Sequence, residues 1–140
     1  MPPSTKPNKK TLVLDLDETL IHSEFQKPRK RHDFTIKVDI EGVFADVYVF
    51  VRPYVKEFIT KMAILYELVI FTAALPNYAN AIIDKLPNSM LISHRLYRHH
   101  CFKSGREVYI KEMKKLGRDL KDIIILDVRK SIYLFIYFIN

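Results

Sequence analysis

The sequence contains a single cysteine, Cys101, among its 140 residues. An internal disulfide is therefore excluded, and the chain fits a reducing compartment. Long hydrophobic runs are also missing, since none reaches the roughly 18 to 20 residues that a membrane-spanning helix needs. The N-terminal segment, MPPSTKPNKK, is polar, and the apolar core of a secretory signal does not follow it. These absences predict a soluble protein of the cytoplasm or the nucleus, without a membrane segment.

Hydrophobic residues make up 49% of the chain and charged residues 28%, proportions that favour a globular protein over a disordered one. The length suits one domain with one core. The net charge of +7 is accounted for by the basic residues of two short segments, 6–10 and 27–31. Each segment either is a solvated part of the surface or attracts an anionic partner, such as a phosphoprotein, a nucleic acid or a membrane surface.

Short apolar segments predict the strands of the fold. The hairpin among them is predicted from its alternation of apolar residues, with the turn at Gly42. The predicted strands are 12–17, the two arms of the hairpin at 34–51, the segment that ends at Thr72, a short strand near 96–98, and IIILD, which ends at Asp127.

Three segments have the periodicity of helices. The first contains Pro53, which suits a first helical turn; the second begins at Pro76 and ends before Pro87; the third covers 110–116, with Gly117 as its C-terminal cap. Helices that alternate with apolar strands predict an α/β fold, a Rossmann-like parallel sheet with helices on both faces. The hairpin would be inserted as a small antiparallel sheet. No internal repeat or second domain is predicted.

Three predicted strands end in polar residues, which are Asp15 with Asp17, Thr72 and Asp127. Ligands of open α/β sheets bind at the carboxyl ends of the strands. Because residues two apart on a strand face the same side, Asp15 and Asp17 would repel each other unless a cation lies between them. An all-oxygen site favours Mg²⁺ or Ca²⁺. A calcium-binding loop is excluded, because Leu20 and Gln26 replace the glycine and glutamate that it requires.

Magnesium at strand ends suggests phosphoryl chemistry, since Mg²⁺ neutralises phosphate charge and aspartate can form an acyl-phosphate. The Thr72 hydroxyl can bind phosphate, and so can the ammonium of Lys111, predicted to lie at the start of the third helix. Taken alone, DLDET is as consistent with an exposed charged turn as with a site. The agreement of three strand ends favours the site.

The chain resembles, in five ordered blocks, the FCP-type branch of the haloacid dehalogenase superfamily. This branch contains the small phosphatases of the RNA polymerase II C-terminal domain and the Dullard-like enzymes. The blocks are DLDETLIHS, VRPYVKEFI, VIFTAALPNYA, HRLYRHHC and YIKEMKKLGRDLKDIIILD. The Asp-x-Asp-x-Thr motif of DLDETL is a weak marker by itself, but five blocks in order over residues 10–127 argue against chance agreement.

The resemblance implies a Mg²⁺-dependent phosphatase of phosphoserine or phosphothreonine in proteins, such as the RNA polymerase II C-terminal domain. Asp15 would be the nucleophile, and Asp17 the acid that protonates the leaving oxygen and then the base that activates water. Magnesium would be held by Asp15, Asp127 and the backbone carbonyl of Asp17. The hairpin at 34–51 is similar to the inserted sheet where these enzymes dock substrate peptide. The residues that would bind the substrate phosphate are Thr72, Lys111 and Arg98.

Two features depart from the family pattern. Val128 follows Asp127, where the family has Asp or Asn, and this change removes an expected metal ligand. The last residues, SIYLFIYFIN, do not resemble the further strand and helix of the family. We therefore expect a flexible basic segment at 1–10, a phosphatase domain at 11–130 that is incomplete at its C-terminus, and an atypical apolar tail at 131–140.

Two other functions compete with the phosphatase. A catalytically impaired phosphopeptide-binding pseudophosphatase would follow if Val128 abolishes metal binding. A nucleic-acid binder is disfavoured, because it rests on the basic segments alone, without interleaved aromatic residues for base stacking. The adjacent His99, His100 and Cys101 lack a second ligand pair at zinc spacing, so we expect loop histidines, and His22 is expected to be structural. The sequence makes no prediction of oligomeric state.

Overall fold

The computed structural model describes residues 1–2, 4, 6, 8–40, 42–105 and 108–128. The strands and α-helices are β1 (Lys10–Leu14), β2 (Ile21–Glu24), β3 (Phe34–Ile40), β4 (Val43–Val51), α1 (Val55–Leu65), β5 (Tyr66–Phe71), α2 (Pro76–Ile83), β6 (Ile92–Leu96), β7 (Phe102–Ser104), β8 (Val108–Ile110) and β9 (Ile123–Leu126). The 3-10 helices of the described ranges are Ser89–Leu91, Arg98–His100, Met113–Leu116 and Leu120–Asp122.

The central sheet has the order β6-β5-β1-β9, and every neighbouring pair is parallel. Leu14, at the end of β1, is in register with Ile70 of β5 and Leu126 of β9. The carboxyl ends of these strands are therefore level, and the polar residues that follow them share one edge. The predicted parallel sheet is confirmed, and so is the convergence of Asp15 and Asp127 at its edge.

Helices cover both faces of the sheet, as predicted. Leu14 and Ile70 face α1 and α2 in the larger apolar cluster, whereas Val13 and Val69 face the 3-10 helix at 113–116 in the smaller one. All four of these strand residues have no exposed surface. Burial on both faces explains why the strands are continuously apolar instead of alternating.

The predicted hairpin is the pair β3 and β4, and it belongs to an antiparallel sheet of order β2-β4-β3. Gly42 lies in its turn with a φ of 85°, a conformation that favours glycine, and its N–H donates to Oδ1 of Asp39 at 2.8 Å. The third strand, β2, follows the loop that carries Asp15 and Asp17. The small sheet is thereby joined directly to the candidate site.

The predicted helix at 110–116 is wrong in its first half. β8 extends to Ile110 and pairs with β7, and only 113–116 is helical, as a 3-10 turn that ends at Gly117 with a φ of 71°. Lys111 therefore lies between a strand and a turn, not at the start of a helix. Strand pairing and burial of the Lys111 side chain override the local helical pattern.

Smaller differences concern the ends of elements. Helix α1 begins at Val55, so Pro53 precedes its first turn instead of lying in it. The strand expected near 96–98 begins at Ile92 and ends at Leu96. Lys10, assigned to the N-terminal segment, is the first residue of β1. The proposed domain boundaries stay a prediction, and the tail at 131–140 lies outside the described residues.

Within the described ranges, no helix has both the length and the apolar character that a membrane crossing requires.

Candidate active site

A tight loop after β1 holds the two aspartates of the DLDET motif. The carbonyl of Leu16 accepts the N–H groups of Thr19, Leu20 and Ile21 at 2.9 to 3.3 Å, which folds the chain back on itself. Arg52 lies across this loop. Its Nε donates to the Thr19 carbonyl at 2.6 Å, and its Nη2 donates to the Glu18 carbonyl at 2.8 Å.

Asp15, Lys111 and Asp127 form a buried charged cluster. Lys111 Nζ donates to Asp15 Oδ1 at 2.7 Å and to Asp127 Oδ2 at 2.6 Å. Each residue is at most 5% exposed. Burial raises the pKa of Asp15 above its ordinary value, the Lys111 ammonium opposes this, and the Asp127 carboxylate adds to it. The ends of the neighbouring strands β1 and β9 thus supply two carboxylates, and the segment after β8 of a separate sheet brings the ammonium of Lys111 to them.

Asp17 lies beside this cluster and contacts two hydroxyl groups. Tyr78 donates its O–H to Asp17 Oδ1 at 2.6 Å, whereas Thr72 Oγ1 lies 3.5 Å from Asp17 Oδ2, at the outer limit of a hydrogen bond. Thr72 is buried at the end of β5, and its hydroxyl accepts the N–H of Ala74 at 3.1 Å. The structure therefore brings the predicted phosphate-binding hydroxyl to the predicted acid.

Arg98 lies next to the Thr72 loop, where its guanidinium contacts a backbone carbonyl and an aromatic ring. Its Nε donates to the Ala73 carbonyl at 2.6 Å, and its guanidinium lies 4.9 Å from the centre of the Tyr109 ring. These contacts hold a cation beside the loop that carries Thr72. Its role toward a substrate phosphate stays a prediction.

The histidines that invited a zinc interpretation have structural partners. His100 Nδ1 accepts the Tyr97 N–H at 3.0 Å, and its ring lies 4.0 Å from that of His99. His22 Nδ1 lies 2.6 Å from Glu18 Oε1 on the exposed side of the loop. Over the described ranges, no group of three or more His, Cys, Asp or Glu residues has the arrangement of a metal site.

The model of the NLI interacting factor-like phosphatase family matches residues 10–136 of this chain. The chain belongs to that family. A probable C-terminal domain small phosphatase of Dictyostelium discoideum is 48% identical over 126 residues, which cover 90% of this chain and 40% of that protein. The human carboxy-terminal domain RNA polymerase II polypeptide A small phosphatase 2 is 45% identical over 125 residues, which cover 89% of this chain and 45% of that protein. The resemblance to the FCP-type branch is confirmed.

A solved structure shares the fold of this NLI interacting factor-like chain. The fission yeast RNA polymerase II CTD phosphatase Fcp1, bound to beryllium fluoride, matches with a TM-score of 0.70 at 21% identity, over 89% of this chain and 38% of that chain. The haloacid dehalogenase-like fold class is thereby confirmed. The chain spans less than half the length of the curated relatives described above.

The oxygen atoms of the site suit a magnesium ion in this family member. Among the described residues, Oδ2 of Asp15 is buried without a hydrogen-bond partner. A hard divalent cation prefers carboxylate oxygens, so the Asp15 Oδ2 atom that Lys111 does not contact could serve as a ligand. The residues that would hold it are Asp15, Asp127 and the backbone carbonyl of Asp17. This ligand set uses only two carboxylate side chains and one backbone carbonyl. It therefore does not conflict with the absence, among the described residues, of a group of three or more His, Cys, Asp or Glu side chains.

Sequence reasoning missed two residues of the site, Tyr78 and Arg52. Tyr78 lies on α2 within an ordinary apolar helical pattern, and Arg52 immediately precedes Pro53 at the end of β4. Neither residue follows a strand of the central sheet, so a search for polar residues at the carboxyl ends of the parallel strands does not find them. Both reach the Asp15–Asp17 loop from elements far away in the chain.

Proposed function

We propose that this chain is a Mg²⁺-dependent phosphatase that hydrolyses phosphoserine or phosphothreonine in proteins through an aspartyl-phosphate on Asp15. The buried contact of Lys111 with Asp15 and Asp127, beside Asp17, is the observation that carries the proposal. The names of the similar proteins favour phosphopeptides like the RNA polymerase II C-terminal domain as substrates. They also favour a nuclear or cytoplasmic location.

In the first half-reaction, a carboxylate oxygen of Asp15 attacks the phosphorus of the substrate. The bond from phosphorus to the serine or threonine oxygen breaks, and Asp17 gives its proton to that leaving oxygen. Lys111 holds the nucleophile in place and stabilises the negative charge of the phosphoryl group. Magnesium, when bound, neutralises further phosphate charge.

In the second half-reaction, Asp17 accepts a proton from water, whose oxygen attacks the phosphorus of the acyl-phosphate. The bond from phosphorus to the Asp15 oxygen breaks, which releases inorganic phosphate and restores the carboxylate. Thr72 and Lys111 keep the phosphoryl group in place between the two steps. The same carboxyl of Asp17 thus serves as acid first and as base second.

The direct test is phosphate release from peptides that carry one phosphoserine or one phosphothreonine. We expect turnover with Mg²⁺ and none after the metal is removed with EDTA, with recovery when Mg²⁺ is restored. A phosphotyrosine peptide serves as the specificity control and should be the poorer substrate. Absence of turnover on all three peptides at any Mg²⁺ concentration would contradict the proposed activity.

Val128 should weaken the binding of Mg²⁺ and so raise the Mg²⁺ concentration that the reaction needs. Its side chain is exposed beside Asp127 and carries no oxygen. Loss of one metal ligand or outer-shell partner costs about 10- to 100-fold in metal affinity or activity. We therefore expect Val128→Asn to lower the Mg²⁺ concentration for half-maximal rate, measured as initial rate against Mg²⁺.

Val128→Ala is the matched control, because it removes the isopropyl group without adding an oxygen. Equal activation curves for all three proteins would mean that position 128 does not influence the metal. Val128 also favours the second candidate function, a pseudophosphatase that binds phosphopeptides without hydrolysing them. That function requires a wild-type protein that binds phosphopeptide but shows no turnover until Val128 is replaced.

A further inference from the structure

We infer that Tyr78 is a positioning residue for Asp17, and that it determines which oxygen of Asp17 exchanges protons with the substrate and water. This inference rests on the proposed function. Its basis is a chain of two short hydrogen bonds, in which Tyr78 Oη lies 2.6 Å from Asp17 Oδ1 and 2.8 Å from Ser23 Oγ.

The chain of hydroxyl groups joins three separate parts of the fold. Ser23 lies on β2 of the small sheet, Tyr78 on α2, and Asp17 in the loop after β1. The Tyr78 ring packs against the larger apolar cluster, so its hydroxyl is fixed in direction. A carboxylate on an exposed loop would rotate freely, whereas this one is held from outside its own loop.

The direction of the hydrogen bonds follows from the geometry of the Tyr78 hydroxyl. Tyr78 donates its O–H to Asp17 Oδ1 at 2.6 Å. A phenol has one proton to donate, so Ser23 is left to donate to Tyr78. The Tyr78 proton is not the one that is transferred.

Asp17 Oδ2 is consequently the oxygen that remains for catalysis. Its contact with Thr72 Oγ1 is long, at 3.5 Å, so little is lost when a substrate oxygen takes the place of that hydroxyl. In the first half-reaction the proton passes from Oδ2 to the leaving oxygen as the phosphorus–oxygen bond breaks. Without Tyr78 the carboxyl can rotate, and the proton is presented in the correct direction for a smaller fraction of the time.

Tyr78→Phe tests this role, because it keeps the ring and removes only the hydroxyl. The readout is kcat/KM, which reports the first half-reaction, on a phosphoserine peptide, phenyl phosphate and p-nitrophenyl phosphate. We expect a loss of about 10- to 100-fold on the peptide, where the leaving alkoxide needs a proton. The loss should be smaller on phenyl phosphate and less than about threefold on p-nitrophenyl phosphate, whose leaving group hardly needs one.

Tyr97→Phe is the matched control. Tyr97 also uses its hydroxyl to reach α2, where it donates to Asn80 Oδ1 at 2.7 Å, but it does not contact Asp17. A merely structural effect should appear in both variants and should be equal on all three substrates. Ser23→Ala removes the second member of the chain and should show the same substrate order as Tyr78→Phe with a smaller loss.

Equal losses on the three substrates, or no loss in Tyr78→Phe and Ser23→Ala, would overturn the inference. Melting temperatures identify a variant that has lost its fold. If Tyr78→Phe is unfolded, the substrate dependence of Ser23→Ala tests the inference in its place. A wild-type enzyme that requires Asp15 but ignores Tyr78 would leave the proposed function intact. A wild-type protein without any turnover would contradict both the proposed function and the inference about Tyr78.

Discussion

Asp15→Asn is expected to abolish phosphatase activity, with a fall of at least about a thousandfold in kcat. Asparagine has nearly the same shape as aspartate, but its amide cannot form an acyl-phosphate. The replacement also removes the carboxylate that Lys111 contacts at 2.7 Å. Phosphate release from a phosphoserine peptide at saturating Mg²⁺ measures the effect, and circular dichroism shows whether the fold is kept.

Asp119→Asn provides a matched control for this prediction. The Asp119 side chain is 74% exposed and lies outside both the small sheet and the sheet-edge site, so the same change of charge there should leave the rate unchanged. Substantial activity in Asp15→Asn would remove Asp15 from the role of nucleophile. An equal loss in both variants would indicate a general effect of charge.

Arg118→Gln is expected to lower the free energy of unfolding by about 3–5 kcal/mol, more than the other substitutions proposed for this chain. Glu67 of β5 has no exposed surface, and Arg118 binds both of its oxygens, with Nε to Oε2 and Nη2 to Oε1 at 2.9 Å each. Thr11 donates a further hydrogen bond to Oε2 at 2.9 Å. Removal of Arg118 leaves a buried carboxylate without its cation. Urea unfolding at neutral pH measures the change.

The pH dependence of this effect has a definite sign. Burial by itself would raise the pKa of Glu67, but hydrogen bonds from Arg118 and Thr11 outweigh it and lower the pKa from 4.5 to about 2. A lowered pKa in the folded state means that Glu67 stabilises the fold fully above its unfolded value, near pH 4.5. This stabilisation is lost as the pH falls toward 2. The difference in unfolding free energy between wild type and Arg118→Gln should therefore narrow over that range.

Lys115→Gln is the control for Arg118→Gln. Lys115 pairs with Glu112 in the same part of the chain, but its side chain is 68% exposed. Exposed ion pairs contribute less than about 1 kcal/mol, so this variant should unfold close to the wild type at every pH. A loss in Arg118→Gln no larger than that of Lys115→Gln would contradict a stabilising role for the Glu67 pair.

The sequence predicts the sheet edge of the site well, for a physical reason. Continuously apolar strands indicate burial on both faces, and parallel strands align their carboxyl ends. Asp15, Thr72 and Asp127 are therefore placed together by local patterns alone. The hairpin at 34–51 is predicted equally well, because its alternation and its glycine turn are also local features.

Contacts between distant segments were not predictable in the same way. Lys111 follows a helical pattern, yet strand pairing and its two buried carboxylate partners determine its backbone. Tyr78 looks like an ordinary core residue until the loop of Asp17 is placed beside it. Glu67 interrupts an apolar strand and has no local partner, since Arg118 lies 51 residues away in the chain. Local periodicity carries no information about such partners.

The central claim is that Asp15 becomes phosphorylated, and chemical trapping tests it most directly. The wild-type protein is mixed with a phosphoserine peptide and Mg²⁺, quenched in acid within one turnover, and treated with borohydride, which reduces an aspartyl-phosphate to homoserine. Peptide mass spectrometry should then find homoserine at position 15, in amounts that follow the burst of released serine peptide, and none in Asp15→Asn. Turnover without homoserine at position 15, or with homoserine at another aspartate, would contradict the claim.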